Sequence, residues 1–287
     1  MTIQSALLSG RSLIEVAGED RISFLQGLIT NDIQGLAEGS ARFAALLSPQ
    51  GKILFDFFAI NTGDAIVLDC ASEISSDLLR RLTLYKLRAK LQLADLSSKW
   101  RVAAAWGEGA ADYLKSKSSI VFEDTRHSAL GYRALVEGPV DTTGDYDALR
   151  VAACVPEGGK DYAYGDAFPH EACFDFLNTV NFKKGCYVGQ EVVSRMQHRG
   201  TARTRVLAVE AGQALPEGGA DILVEDFAVG RVGTVSGTHG IALARIDRVK
   251  DALAKGQPLL AGGVPITVSV PSWASYSLEP EPAGASH

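Results

Sequence analysis

Short apolar runs bounded by turn residues fill the first hundred positions of the chain. Residues 12–17, 53–60, 65–70 and 100–106 each fit one strand, because each run is shorter than a typical helix and ends at turn-forming residues. The turn at 61–64 separates two of these runs closely enough to predict an antiparallel hairpin. We therefore expect an antiparallel sheet in the N-terminal part.

Apolar positions with helical spacing predict helices between these strands. The first predicted helix covers residues 20–30, with Asp20 as its N-cap, and the second covers residues 75–88. A third apolar cluster at 173–177 follows Pro169 and also predicts a helix. The N-terminal two thirds of the chain thus combine helices and strands.

From Arg203 onward the pattern changes. Strand-like runs become short, glycines and Pro216 separate them, and helical periodicity almost disappears. This pattern predicts a separate small β-barrel or sandwich. The tail from Glu279 is rich in Pro, Ala and Gly, so we expect it to be disordered.

Composition places the chain among ordinary globular proteins. It is 46% hydrophobic and 22% charged, with a formal net charge of -6. This charge does not favour general attraction to nucleic acid. The sequence shows no run of about 18 apolar residues and no secretory or transit-peptide pattern, which favours a cytoplasmic location and no membrane span.

The four cysteines show no C-x-x-C pair and no spacing typical of structural zinc, so no metal site is predicted. We expect Cys70, Cys154 and Cys173 to be small buried hydrophobic residues. Cys186 differs because it follows Lys183 and Lys184 and lies between glycines.

The segment 182–195 carries the clearest chemical signal. Gly185 and Gly189 predict a tight turn, and the residues from Gln190 onward suit a helix. A cysteine at such a helix start, beside two lysines, favours the thiolate form. We therefore interpret Cys186 and Lys184 as catalytic residues. A glycine-bounded turn with an inert cysteine is the alternative.

This segment resembles a family signature. Residues 184–191, KGCYVGQE, resemble the K-G-C-Y-x-G-Q-E motif of the YgfZ family. Other segments of this chain resemble further motifs of that family and follow in the same order. They lie at residues 24–32, 48–53, 85–90, 124–126, 130–133, 156–161 and 169–171. The resemblance covers roughly residues 10–270.

The resemblance implies a fold and a function. YgfZ proteins are folate-binding proteins of iron–sulfur cluster assembly or maintenance, related to the aminomethyltransferase of the glycine cleavage system. It implies an α+β, multi-domain, aminomethyltransferase-like fold around a central channel, with a C-terminal β-barrel. The implied domains are 1–47 with 131–202, 48–130 and 203–278, followed by the tail 279–287.

The resemblance also implies ligands. We expect tetrahydrofolate or a derivative as cofactor, and iron–sulfur client or assembly proteins as partners. An effect on tRNA modification is expected to be indirect, and direct tRNA contact stays open. The residues predicted to bind the folate are Asn31, Asp32, Asp56, Arg88, Arg126, Arg133, Glu171, Tyr187, Gln190 and Glu191.

An aminomethyltransferase or other one-carbon transferase is the alternative function. Those enzymes carry a pair of adjacent acids where this chain has only Asp56, preceded by Phe55, and a further acid where it has Ala152. Their absence favours an accessory protein over the enzyme. Asp32 fits a turn cap as well as a folate ligand, whereas a carboxylate such as Asp56 inside an apolar strand points to function because burying it unpaired is costly.

A basic run lies in residues 80–90. It fits a solvated helix face, a contact for the glutamate tail of a folate, or a contact for tRNA. Nothing in the sequence resembles an RNA-reading module.

Overall fold

The computed structural model describes residues 2–200 and 202–279. Residues 280–287 of the predicted tail lie outside the described residues. The first nine strands and first three helices are β1 (Gln4–Leu7), β2 (Arg11–Ala17), α1 (Arg21–Gln26), β3 (Ala41–Leu47), β4 (Ile53–Asn61), β5 (Ala65–Ala71), α2 (Ser72–Lys86), β6 (Gln92–Asp95), β7 (Arg101–Trp106), α3 (Ala110–Lys115), β8 (Val121–Glu123) and β9 (Tyr132–Val136).

The remaining elements follow in the second half of the chain. They are α4 (Tyr146–Ala153), α5 (Gln190–Arg199), β10 (Thr204–Ala211), β11 (Ala220–Val224), β12 (Phe227–Ser236), β13 (His239–Arg245), α6 (Ile246–Ala254), β14 (Leu259–Ala261) and β15 (Val264–Ser269). None of the helices in the described part of the chain has the length and apolar character that a membrane span requires.

The chain divides into two compact units. The first comprises residues 1–146, 164–169 and 177–195, and the second comprises residues 147–163, 170–176 and 196–287. The domain boundaries implied by the resemblance stay a prediction.

Two antiparallel sheets build the first unit. One has five strands in the order β3-β4-β5-β2-β6, and the other has four in the order β1-β7-β9-β8. The predicted hairpin is present, with β4 paired to β5. Strands β4 and β5 are buried along almost their whole length. Their apolar side chains form a core with α1 and α2, which include the fully buried Leu25, Leu78 and Leu82.

A closed six-stranded barrel forms most of the second unit. Its strand order is β10-β13-β12-β11-β14-β15, and β15 pairs with β10 to close it. Closure leaves no open sheet edge, which suits short strands separated by turns. The predicted C-terminal β-barrel is confirmed.

One helix prediction was wrong, and another was correct only for the first part of the helix. The cluster at 173–177 forms turns, because Cys173 and Asn178 adopt positive φ angles of 57° and 54°, which do not continue an α-helix. The first helix ends at Gln26, and Asp20 makes no side-chain cap. The Asp20 carboxylate instead accepts a hydrogen bond from the Lys90 backbone N–H at 2.7 Å.

Candidate functional site

The buried ammonium group of Lys184 holds the K-G-C-Y segment in place. Its Nζ donates to three backbone carbonyl oxygens, those of Gln26 at 2.8 Å, Ile29 at 2.6 Å and Asn31 at 2.8 Å. These carbonyls belong to the last residue of α1 and to the turn that follows it. Because an ammonium group has three hydrogens to donate, the contact uses its full capacity.

Further bonds tie the same two segments together. The Asn181 side-chain oxygen accepts from the backbone N–H of Lys183 and of Lys184, at 2.8 and 3.1 Å. The Asn181 N–H donates to the Thr30 carbonyl at 3.0 Å. The buried Tyr187 ring lies with its centroid 5.3 Å from the Lys184 Nζ, within the range of a cation–π contact. The segment before Cys186 is therefore fixed on both sides of Lys184.

Two glycines bring a second motif against this segment. Gly51 ends the S-P-Q-G turn and Gly189 precedes α5, and both have positive φ, 82° and 81°. A Cβ on Gly189 would lie 2.6 Å from the Ser48 carbonyl oxygen, and one on Gly51 would lie 2.9 Å from the Cβ of Val192. No side chain fits at either position, so the approach requires glycine.

Cys186 lies exposed in a groove next to this anchor. The groove has a volume of about 510 Å³, and its lining includes Gly185, Cys186, Glu19, Ile22 and Gln26. The prediction that Cys186 sits at a helix start was wrong, since α5 begins four residues later at Gln190. The Lys184 ammonium group is directed at the three carbonyls, and the predicted effect of its charge on the thiol stays a prediction.

Burial sets the acid–base behaviour of the anchor. Loss of solvation lowers the pKa of Lys184 to about 8, and the nearby charge of Asp32 opposes this effect. Burial raises the pKa of the Tyr187 hydroxyl to about 12, so that side chain stays neutral. The anchor thus consists of one buried cation, neutral carbonyls and a neutral aromatic ring.

The other three cysteines are buried, as predicted. Burial raises the pKa of Cys70 to about 12, and it also raises the pKa of Cys154 and of Cys173. Their thiols are therefore protonated at neutral pH and unsuited to bind metal. Cys186 alone among the four presents its sulfur at the surface.

Arg126 and Arg133 were predicted to bind folate, but the structure buries both in an ion-pair network. Arg126 donates twice to the Asp124 carboxylate, at 2.9 and 2.7 Å. Arg133 donates to Asp124 at 3.1 Å and to Asp69 at 2.8 Å. The Tyr146 hydroxyl also donates to Asp124, at 2.9 Å. These guanidinium groups hold protein carboxylates, which corrects the picture of two arginines directed toward a ligand.

The network continues to the other sheet of the first unit. Arg11 donates from its Nε to Asp69 at 2.6 Å, and Asp69 is on β5 whereas Arg133 is on β9. Burial by itself raises the pKa of Asp124, but Arg126 and Arg133 outweigh it and hold that pKa well below its usual range. The network therefore connects the five-stranded sheet to the four-stranded sheet through ion pairs.

Asn31 and Asp32 serve the turn after α1. The Asn31 amide donates to the carbonyl oxygens of Phe43 and Asn178, at 2.8 and 2.6 Å. One oxygen of Asp32 accepts from the Gln26 side chain and from the Gln34 N–H, at 3.0 and 2.9 Å. These bonds fit the predicted turn-capping alternative for Asp32.

The remaining predicted ligands are dispersed. Asp56 is buried on β4 and accepts from the Tyr164 hydroxyl at 3.2 Å. Arg88 is exposed just beyond α2, and Gln190 is half-buried at the start of α5. Glu191 is exposed and pairs with Arg195 at 2.5 Å. Glu171 belongs to the second unit. These residues do not form one cluster within the first unit.

Sequence reasoning missed most partners in these clusters. The three carbonyls around Lys184 carry no sequence signal, because any residue supplies a carbonyl. Asp69 was detectable, since it is a charged residue inside an apolar run and such a residue needs a buried partner. Its partner Arg133 lies 64 residues away along the chain, so the sequence did not reveal which residue it pairs with.

Comparison with known proteins finds two families, each matching a separate part of the chain. Residues 8–151 match the family described as GCVT N-terminal domain, and residues 203–276 match CAF17, C-terminal beta-barrel domain. The chain is 31% identical to the human protein named iron-sulfur cluster assembly factor IBA57, mitochondrial, over 93% of this chain and 84% of that protein. The mouse protein of the same name is 29% identical over the same shares.

A solved structure agrees with the fold. The glycine cleavage system aminomethyltransferase T of Bartonella henselae superimposes with a TM-score of 0.74, over 95% of this chain and 86% of that one, at 18% identity. The predicted aminomethyltransferase-like fold is confirmed. The resemblance to YgfZ holds at the broader level, since these relatives are IBA57 proteins. The predicted cytoplasmic location is wrong on this comparison, because they are named as mitochondrial.

Proposed function

Because this chain belongs to the family of iron–sulfur cluster assembly factors that includes human IBA57, we propose that it is an accessory factor in the assembly or repair of iron–sulfur clusters. Two observations together carry this proposal. The similarity spans 93% of the chain, and an exposed cysteine lies beside the Lys184 anchor. The fold alone does not separate this role from aminomethyl transfer.

Cys186 is the residue through which the protein acts in this proposal. Its thiol lies in an open groove, where another molecule can reach the sulfur. The described residues contain no group of three or more His, Cys, Asp or Glu side chains arranged to hold a metal ion. Since a complete cluster requires several ligands, the remaining ligands come from the partner that delivers or receives the cluster.

Lys184 has a positioning role in this proposal. Its three bonds to the turn after α1 hold the backbone two residues before Cys186. A fixed backbone limits the positions that the sulfur can take, which favours transfer to a docked partner.

A second, more specific part of the proposal is that the protein binds a reduced folate. The match to the GCVT N-terminal domain supports it. The predicted folate residues do not fit a common site, because Arg126 and Arg133 hold carboxylates and Asn31 holds two backbone carbonyls. No step is therefore assigned to folate. Tetrahydrofolate that binds the native protein must raise its melting temperature, and an unchanged melting temperature would remove this part.

Aminomethyl transfer is not favoured. The position that carries an acid in those enzymes holds Phe55 here, and its side chain packs into the core formed with α1 and α2. An influence on tRNA modification is indirect in this proposal, through tRNA-modifying enzymes that contain iron–sulfur clusters.

The decisive experiment replaces the sulfur. Cys186→Ser should leave the free energy of unfolding within about 0.5 kcal/mol of the wild type, because the residue is exposed. It should abolish rescue of cluster-enzyme activity in cells that lack the native protein. Cys70→Ala is the matched control, since it removes a buried thiol and should retain rescue at equal abundance. Full rescue by Cys186→Ser would refute a sulfur-based function.

A further inference from the structure

A second surface of the first unit has a charge opposite to that of the chain. Residues 78–92 contain Arg80, Arg81, Lys86, Arg88 and Lys90 and no acidic residue, although the chain as a whole has a net charge of -6. This stretch forms the C-terminal half of α2 and the connection to β6. A local positive surface on an acidic protein favours one class of contact over general solvation.

Two large apolar side chains lie exposed within this positive stretch. Leu84 is 66% exposed and Leu87 is 88% exposed. Among the large hydrophobic residues in the described part of the chain, Leu87 has the highest exposed fraction. Leu78 and Leu82 are the residues of α2 that are fully buried in the core. Leu84 and Leu87 therefore contribute nothing to the core.

The backbone conformation at Leu87 is unfavourable for a leucine, so the needs of the fold do not explain why a leucine lies there. Leu87 follows the last residue of α2 with φ of 44° and ψ of -105°. A positive φ is unfavourable for a residue with a Cβ, and this φ,ψ pair lies outside the left-handed helical region in which helices commonly end. A leucine at this position combines an unfavourable backbone conformation with exposed apolar surface, and a contact outside the chain would account for both.

This stretch is continuous with the Cys186 groove. The Lys90 ammonium pairs with Glu19 at 3.1 Å, and the Lys90 N–H donates to Asp20 at 2.7 Å. Glu19 also lines the groove that contains Cys186. A molecule that covers Leu87 and Lys90 therefore reaches the rim of this groove at Glu19. We name this area, formed by Leu84, Leu87, Arg88 and Lys90, the leucine–basic surface.

We propose that the leucine–basic surface docks a protein partner whose contact area carries carboxylates around an apolar pocket for Leu87, and so holds that partner's cluster ligands at Cys186. This proposal rests on the proposed function and adds the chemistry of the partner. Its basis is charge complementarity together with the exposed leucine pair.

The composition of the surface favours a protein over a nucleic acid or a lipid membrane. Leucine side chains offer no ring on which bases stack. The surface is also edged by carboxylates, because Asp77 pairs with Arg80 and Glu19 pairs with Lys90. RNA and anionic lipids present negative charge throughout and would meet these carboxylates unpaired, whereas a protein can place basic residues opposite Asp77 and Glu19 and carboxylates opposite the cations.

The test measures binding of a purified iron–sulfur cluster scaffold protein from the same organism by calorimetry, at low and high salt. Leu87→Asp should weaken binding by about tenfold or more, as truncation of an interface anchor does. Leu87→Gly should weaken binding as well while raising the melting temperature, because it relieves the positive φ. Phe227→Asp, at an apolar residue that is 73% exposed in the other unit, should change neither quantity.

The outcomes separate docking from function. Wild-type affinity and full cellular rescue by both Leu87 variants would overturn the docking proposal, and failure of Cys186→Ser in the same cells would still support the proposed function. Absence of scaffold binding by the wild type would also overturn it. A further outcome is that Leu87→Asp loses binding to tRNA or to phosphatidylglycerol vesicles while scaffold binding is unchanged. That result would assign the surface to another partner and overturn the docking proposal.

Discussion

Lys184 and Arg133 are both buried in the first unit, but their partners differ in charge. Lys184 is surrounded by three neutral carbonyls, and burial lowers its pKa to about 8. Arg133 faces Asp69 and Asp124; burial by itself would lower its pKa, but these carboxylates and Tyr146 outweigh it and the pKa is raised. Neutral partners satisfy hydrogen bonds without neutralising charge, whereas carboxylates do both.

The two clusters also connect different parts of the unit. The Arg133 network joins β5 of one sheet to β9 of the other, so it holds the scaffold together. The Lys184 anchor joins a loop to the turn after α1, so it holds the segment that presents Cys186. Substitutions in the two clusters should therefore separate stability from function.

The largest effect is expected in the scaffold network. Asp124→Asn removes the negative charge that Arg126 and Arg133 share, and it leaves two buried guanidinium groups short of a counter-charge. We expect a loss of about 3–5 kcal/mol in the free energy of unfolding, measured by chemical denaturation. Asp77→Asn is the control, because it breaks an exposed pair with Arg80 and should cost less than about 0.5 kcal/mol.

Acid provides a second measurement of the same variant. Since the folded pKa of Asp124 lies below the ordinary value of 3.8, its carboxylate stabilises the protein above that pH. This contribution falls as the pH drops below 3.8 toward the folded pKa. The wild type should therefore lose more stability than Asp124→Asn over that range, and parallel curves would contradict the assignment.

A smaller loss of stability but a full loss of function is expected at the anchor. Lys184→Met leaves the carbonyls of Gln26, Ile29 and Asn31 without their donor, but it also removes a charge that is costly to bury. We expect a loss of about 1–3 kcal/mol, the cost of unsatisfied buried acceptors. Cellular rescue should fail at normal protein abundance.

Amide hydrogen exchange tests the positioning role directly. Exchange should accelerate in residues 183–187 of Lys184→Met and stay unchanged in the barrel strands. Lys184→Arg should restore part of the protection, since a guanidinium group donates to carbonyls but is larger. Full rescue by Lys184→Met would show that Cys186 does not depend on the anchor.

Much of the fold was predictable because its signals are local. Alternating or continuous apolar runs identified β2, β4, β5 and β7, and frequent turn residues identified the barrel. The helix predicted at 173–177 failed because Cys173 adopts a left-handed backbone, which a cysteine in the sequence does not indicate. Local periodicity predicts an element, but it does not report the φ angle of one residue.

The sequence by itself determined the two classes of fold element, the motif that carries Cys186 and the buried state of the other three cysteines, because apolar spacing and residue type act over a few neighbouring positions. Only the tertiary structure decided what surrounds each charged group. Lys184 meets carbonyls more than 150 residues away along the chain, and Arg133 meets Asp69 across 64 residues. Those pairings depend on how strands and loops come together, so only the structure shows that the lysine two residues before Cys186 also holds a turn.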